Sequence, residues 1–431
     1  MAKTKLTAGQ YMVLVAVIAM YFFAPTQGII SSVLHQINET YPEVGPAELT
    51  YLTSINNLFA VFSALLFSML AGRKLSHRTI GIIALLFFVV GGGLPAFLPD
   101  TTPFWVLLVT RAIMGLGRGC FIPIIQAVLC DFFHDEKQRS AMFGFASIFF
   151  NIGATTGTTI AGWLGLINWH LCFAFYLFAV IPLALYTVFF REPQNAEEFS
   201  REKLHIPAIA WAFFLLYTAA LIVSQMLWNY ASTVMSILGI NSLEVGTILS
   251  MFTIAAILLA ALFTFVFRVF KTQTCAFGIC IEGLGFVVLF LGTVIPDMAL
   301  PLFYIGAFLI GFGCNAVTLG VPMIMSVTVP AAAVTAALGL SEVFHNLGAF
   351  LSSPFSQVAF FFAGPDAGLN VIFIITAVFA FVMTAVSAFV GVKARAAADR
   401  RRQDDENATK ALESTANGTS LENKNDMFPT P

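Results

Sequence analysis

The sequence predicts an all-α membrane protein whose twelve transmembrane helices form two pseudo-symmetric six-helix bundles. Three observations predict it: the length of the apolar runs, the placement of the cationic side chains, and an internal repeat. Hydrophobic residues make up 58% of the 431 residues and charged residues 10%, against roughly 45–50% and 25% in soluble domains. A water-soluble globule cannot be covered with so few charges, and a mean hydropathy of +0.88 excludes secreted, cytosolic and disordered classes for all but the ends. With 21 basic and 23 acidic residues nearly cancelling, no nucleic-acid partner is implied. The six cysteines lie mostly inside apolar runs without metal-type spacing, so neither a disulfide framework nor a metal or other cofactor is expected.

Hydrocarbon about 30 Å thick needs roughly 20 apolar residues per helix. Stretches of that kind fall at about 10–33, 48–71, 79–98, 103–129, 140–164, 168–190, 207–232, 244–268, 273–295, 298–325, 334–361 and 367–392. Helices are required because unpaired backbone groups are too costly in lipid. The first run is long enough to span and lacks a small-residue cleavage site, so it is expected as a retained helix and not a signal peptide. Every Lys and Arg except Arg111 and Arg118 falls before helix 1 or after an even-numbered helix. The opposite loops carry acids such as Glu43, Asp100, Glu244 and Asp297. Short translocated loops disfavour Lys and Arg, which places both termini in the cytoplasm of a multi-pass plasma-membrane (inner-membrane) protein. The expected organisation is an N-terminal bundle over 1–190, a cytoplasmic connector over 191–206, a C-terminal bundle over 207–392 and a disordered cytoplasmic tail over 393–431.

The halves repeat. Gly144, Asn151, Gly153 and Ala154 match Gly339, Asn346, Gly348 and Ala349 at an offset of 195, and Gly115 and Gly117 match Gly311 and Gly313 at 196. Ordered matches at one offset favour duplicated bundles, the arrangement secondary transporters use for alternating access.

Intramembrane charges are expensive and usually face a cavity or a partner. Arg111 and Arg118 are separated by nearly two turns of helix 4, so they share a face about 10 Å apart. Arg118 is better centred, and its planar donor fork suits a carboxylate or phosphate; a structural ion pair is the competing reading. Glu282 in helix 9 and Glu342 in helix 11 are candidate proton carriers, since burial disfavours the charged carboxylate. Glu342, His345 and Asn346 follow i, i+3, i+4 spacing and form one polar face, while the matching positions in helix 5 are Ser147, Phe150 and Asn151. A mutual bond or a helix contact explains Glu342 and His345 equally well, and a structural pair is the favoured reading for Glu282. Tyr217, Gln225, Trp228 and Asn229 share a face of helix 7, and Gln27 and Asn315 sit near the middle of helices 1 and 10. Aromatic walls with a few amides suit an amphipathic organic molecule, although amides also bond between helices. Pro25, Pro123 and Pro354 mark bends. The recurrence of Gly153, Gly157 and Ala161 favours close helix packing.

Taken with Arg111-x-x-Met114-Gly115-x-Gly117 in helix 4, the chain resembles the major facilitator superfamily (MFS) over about residues 10–392. Gly72-Arg73-Lys74-Leu75-Ser76-His77-Arg78 is similar to a worn form of its signature loop. Helix 5 carries Gly153, Gly157, Thr158, Ala161 and Gly162, similar to its antiporter motif with Thr158 in place of Pro. The resemblance implies a central cavity lined by helices 1, 4, 7 and 10, with Arg118, Gln27, Gln225, Trp228, Asn229 and Asn315 as substrate contacts. It implies a conformational or proton-linked role for Arg111; Glu342, His345, Asn346 and Glu282 are the other expected coupling residues, on the burial and spacing given above. A cytoplasmic gate of Gly72, Arg73, Arg78 and Asp131 competes with a plain positive-inside anchor. The expected function is secondary active, proton-coupled transport of a small organic solute, an anion by preference, by a monomer that is not an enzyme. Efflux of amphipathic drugs and a non-transporting sensor are the alternatives.

Overall fold

The computed structural model describes residues 8–70, 75–133, 136–190, 207–329, 331–364 and 368–396. Helix dominates because an apolar run in hydrocarbon must satisfy its own backbone. Among the described residues, nine segments are long and apolar enough to cross a membrane, where sequence reading expects twelve crossings. The difference has a physical source. Ser242–Val294, 53 residues long, holds two helices, α12 (Ser242–Phe270) and α13 (Thr274–Val294), which reverse through Lys271 at a φ of 50°. Helices α8 (Glu136–Gly165) and α15 (Ala331–Ala363) occupy the fifth and eleventh expected places, but their Ser, Thr, Asn and Gly content makes them less apolar than the nine.

The first segment runs further than expected and is not one α-helix. α1 (Ala8–Phe23) gives way to a 3-10 stretch, Ala24–Val33, before α2 (Leu34–Thr40). Pro25 has no N–H to continue the α ladder. α3 (Pro46–Leu49) and α4 (Tyr51–Leu70) form the second segment, and α5 (His77–Gly93) the third. The fourth is broken into α6 (Phe104–Arg118) and α7 (Phe121–Phe132). The Pro123 ring opposes the carbonyl of Gly119 there, a recognised cause of a helix break. α9 (His170–Ala174) and α10 (Val180–Phe189) make the sixth segment. α11 (Ala208–Ile237), α14 (Ala299–Thr328) and α16 (Val371–Ala396) complete the second half. Pro322 and Pro354 lie within α14 and α15.

Apolar side chains form two large clusters, one drawn from Val13 to Phe190 and the other from Ala210 to Ala394. The repeated glycines perform matching jobs in each. A Cβ on Gly115 would strike the carbonyl of Asn56, and one on Gly311 that of Phe252, 196 residues further on. Gly117 meets Ala84 and Phe88 on α5; Gly313 meets Gly278 and Glu282 on α13. Gly153 presses on the Phe22 carbonyl and Gly348 on that of Thr218. Only glycine admits such backbone approach, so three recurring contacts carry the sequence repeat into three dimensions.

Candidate functional site

Side-chain hydroxyls and amides join the two halves toward the end that carries the acidic loops. Ser353 lies 2.7 Å from both Thr50 and Ser54. The Thr53 hydroxyl is 2.5 Å from Asn229 Oδ1, and Asn229 Nδ2 donates to Ser352 at 3.1 Å. Ser232 accepts from the His35 N–H and donates to the Ser32 carbonyl, each at 3.1 Å. Between α8 and α12, Ser242 donates to the Gly162 carbonyl at 3.0 Å, and Ser250 meets Thr158 and Thr159 at 2.9 and 3.0 Å. The fifth and eighth segments approach so closely there that Gly162 and Gly246 face each other.

On the inner side of this seal lies the polar centre. Arg118, at the last turn of α6, is half-buried, and its Nη2 donates to Asn57 Oδ1 on α4 and Asn346 Oδ1 on α15, both at 2.8 Å. One guanidinium from the first half is thus held by amides from both halves. Its Nε is buried without a partner among the described residues, which leaves one donor direction of the fork uncommitted. Glu342 lies mid-way along α15, near enough to Arg118, Tyr21 and Tyr217 for their charges to interact, yet its side chain is exposed. Helices α1, α6 and α11 surround it, so that exposure is to an opening between the halves. His345, one turn on, bonds through Nδ1 to the Tyr217 hydroxyl at 2.8 Å. Asn346 completes the stripe by donating from Nδ2 to the Glu342 carbonyl at 2.9 Å. The arrangement sets a cationic fork, a carboxyl and an imidazole around one water-accessible space, with Tyr21 and Phe150 in ring contact at 5.1 Å beside it.

Arg111 has different surroundings. It is fully buried and donates to the Leu52 carbonyl at 3.0 Å, to Met114 Sδ at 3.0 Å, to the Tyr176 hydroxyl at 3.2 Å and to the Gln27 carbonyl. Tyr176 in turn donates to the Thr26 carbonyl at 2.8 Å. The Gln27 and Thr26 carbonyls belong to the 3-10 stretch, so Arg111 and Tyr176 tie that stretch to the fourth and sixth segments. With its amide turned so that the nitrogen donates, Gln27 bonds to the Ala24 and Pro25 carbonyls at 2.8 and 3.1 Å.

The remaining expected contacts divide. Asn229 is buried within the seal. Trp228 is half-buried, packs its ring on Gly28 across the halves and meets Phe252 edge-on at 5.5 Å. Gln225 is half-buried one turn earlier. Asn315 donates to its own helix at the Gly311 carbonyl, 2.8 Å away. Glu282 is fully buried inside the second half, away from the opening. Of the expected gate, Gly72 and Arg73 lie outside the described residues, as does the side chain of Asp131 in α7; Arg78 donates to the Thr187 carbonyl at 2.6 Å. Asn57, Tyr176 and Ser353 were not singled out by sequence reading. A signal for part of this was present, since Thr50, Thr53, Ser54 and Asn57 follow i, i+3, i+4, i+7 spacing and form one polar stripe on a helix.

The Major Facilitator Superfamily profile matches residues 11–216. An uncharacterized MFS-type transporter of Bacillus subtilis, YcnB, is 27% identical over 168 residues, 38% of this chain and 35% of that protein. NiaP of the same organism, named provisionally as a niacin/nicotinamide transporter, is 28% identical over 124 residues, 29% of this chain and 30% of that protein. The chain thus spans about a third of the length of the curated relatives it matches. Among solved structures, the nucleoside transporter NupG superposes with a TM-score of 0.73 at 13% identity, covering 88% of this chain and 99% of that one. The inward-open xylose transporter XylE from E. coli gives 0.66 at 16% identity, covering 87% and 94%. At these identities the likeness is one of fold.

Proposed function

We propose that this chain, whose residues 11–216 match the Major Facilitator Superfamily profile, is a plasma-membrane secondary transporter of that superfamily that moves a small organic anion by alternating access with proton coupling. One observation carries the reading: Arg118 of the first half reaches Asn346 of the second beside an accessible carboxyl. A solute whose negative group docks on the Arg118 fork draws on both halves at once, which couples its binding to their relative position. Charge-assisted bonds to a planar fork favour a carboxylate, and the neighbouring rings of Tyr21 and Phe150 favour an aromatic body. An aromatic monocarboxylate fits both. This also agrees with the name given to the niacin relative.

Glu342 and His345 supply the proton step. Loading the Glu342 carboxyl removes its pull on Arg118 and frees the guanidinium for the solute; unloading restores it. With both termini cytoplasmic, the seal lies on the outer side and the opening faces the cytoplasm. The protein works as a monomer, since one chain contributes every group of the site.

Uptake of radiolabelled niacin and benzoate into proteoliposomes, with and without a proton gradient, tests the proposal. Arg118→Ala should lower uptake roughly a hundredfold, the scale for stripping a partner from a desolvated charge, with folded protein retained. Glu342→Gln should bind the probe but lose acceleration by the gradient. Undiminished transport in Arg118→Ala removes that residue from the mechanism, and an unaltered proton dependence in Glu342→Gln defeats the coupling assignment. Failure of both probes to bind the parent protein overturns the aromatic-anion reading.

A further inference from the structure

A histidine at the acidic-loop end has its tautomer fixed by its own bonds. His170 opens α9, just after the turn between the fifth and sixth segments. Its backbone N–H donates to Asn168 Oδ1 at 2.9 Å, which makes that oxygen an acceptor. Ring Nδ1 lies 3.0 Å from the same oxygen and so carries the proton of the neutral ring, since an amide oxygen has two lone pairs and no hydrogen to give. Nε2 is then left as a bare lone pair. It is buried and makes no hydrogen bond among the described residues. Facing it at 3.6 Å is Asp100 Oδ1, in the turn between the third and fourth segments. Two acceptors thus oppose each other across a gap longer than a hydrogen bond. A proton on Nε2 turns that opposition into a charge-assisted bond.

The face of the ring is prepared for the same charge. The Trp169 indole stacks on the imidazole, with centroids 3.6 Å apart and planes 25° from parallel, and an aromatic face attracts a cation. The Leu98 carbonyl is a second acceptor beside the ring. Of the elements packed against α9, residues 24–33, residues 89–97 and the last turns of α8 over 160–165 hold no ionisable side chain. The first segment brings Tyr41, whose ring meets Trp169 at 6.5 Å and Phe104 at 5.7 Å, with Glu43 acting on it, and the His35–Glu39 pair, 3.4 Å apart on α2. The imidazole is 11% exposed and the Asp100 side chain 72%, so the pair meets water through the acid.

What the ring holds reaches the contact between the halves. Trp169 Nε1 donates to the hydroxyl of Thr40, the last residue of α2, at 3.0 Å. Near the other end of α2, the His35 N–H donates to Ser232 of the second half at 3.1 Å. One helix of seven residues therefore connects the indole to the seal.

We propose that His170 and Asp100 form a proton-operated clasp: a proton taken up at Nε2 from the solution at the acidic-loop end draws Asp100 onto a ring stacked on Trp169, steadies α2 and holds the halves together at that end. The proton comes from water and returns to it, and no other covalent bond changes. Acid on that side is thus a brake on opening there. That this side is the outer one rests on the orientation proposed above; the clasp does not.

Tryptophan emission of the full chain in lipid nanodiscs, titrated between about pH 4 and about pH 9, reads the stack, because an imidazolium in ring contact quenches an indole. The part of the emission that Trp169→Phe lacks should fall as acid is added. His170→Gln should abolish the fall and His35→Gln should keep it. Asp100→Asn should move its midpoint down by roughly half a pH unit, the scale of a partly exposed ion pair. The hold on the seal is read from thiol labelling of a cysteine introduced at position 54, as the rate in the parent divided by that in His170→Gln, which cancels the titration of the thiol itself. That ratio should drop roughly threefold from the alkaline to the acid end. Emission that ignores acid, a fall that survives His170→Gln, or an unmoved midpoint in Asp100→Asn overturns the clasp, and a constant labelling ratio overturns its hold on the seal. If His170→Gln does not fold, Asp100→Asn, at an exposed position, decides both readouts in its place. Neither readout needs cargo, so the aromatic-anion reading can fail while the clasp stands, and the reverse.

Discussion

Where α6 presses on α5, the first half buries the ring of Phe88; where α14 presses on α13, the second half buries the carboxyl of Glu282. The same contrast recurs along the repeat. Arg111 and Arg118 on α6 correspond to Ala307 and Cys314 on α14, and Glu342 and His345 on α15 correspond to Ser147 and Phe150 on α8. Glycine contacts that set helix spacing are kept in both halves, whereas ionisable groups are not. The first half supplies the cations and the second the acids and the imidazole. Opposite charges presented from the two halves attract each other across their contact.

Five substitutions would break or sharpen this comparison. Arg111→Ala removes the donors to the Gln27 and Leu52 carbonyls and to the Tyr176 hydroxyl together, and should cost about 4 kcal/mol, read as loss of monodisperse protein or a large fall in Tm in detergent. A neutral result would mean that the 3-10 stretch finds other donors. Gly117→Ala and Gly313→Ala should each cost about 2 kcal/mol, because the new Cβ meets backbone that cannot turn aside; equal falls in Tm uphold the equivalence of the halves, and unequal falls break it. Ser353→Ala removes contacts to Thr50 and Ser54 and should favour opening of the seal by about 1 kcal/mol, seen as faster thiol labelling of a cysteine introduced at position 54. Gly339→Ala has nothing within 4 Å of the added Cβ and sits in a helix, so a gain of up to about 1 kcal/mol is expected. A loss there would point to a close approach in the other conformation.

Much of the fold was readable because glycine and charge are sparse and therefore conspicuous in apolar text. The matches between Gly115 and Gly311 and between Gly153 and Gly348 marked the packing contacts that the structure contains. Helices α8 and α15 were placed correctly by order but are less apolar than a spanning segment alone would be, since they face one another's bundle more than lipid. The site was less readable. Arg118 and the Glu342 stripe stood out as charge within apolar runs, whereas Asn57 and Ser353 belong to residue types that occur throughout the chain. Arg111 was visible, but two of its partners are the backbone carbonyls of Gln27 and Leu52, and no side-chain pattern announces a carbonyl. Asn229 looked like a solute contact because an amide on a cavity helix reads the same whether it meets a solute or a neighbouring hydroxyl.

The bonds joining the halves near Asn229, Ser232, Ser250 and Ser353 are made by neutral groups. Mobile ions weaken contacts between exposed charges over a length of about 10 Å at 0.1 M, but a hydroxyl meeting an amide offers them nothing to shield. The join on that side should therefore hold as firmly in brine as in fresh water.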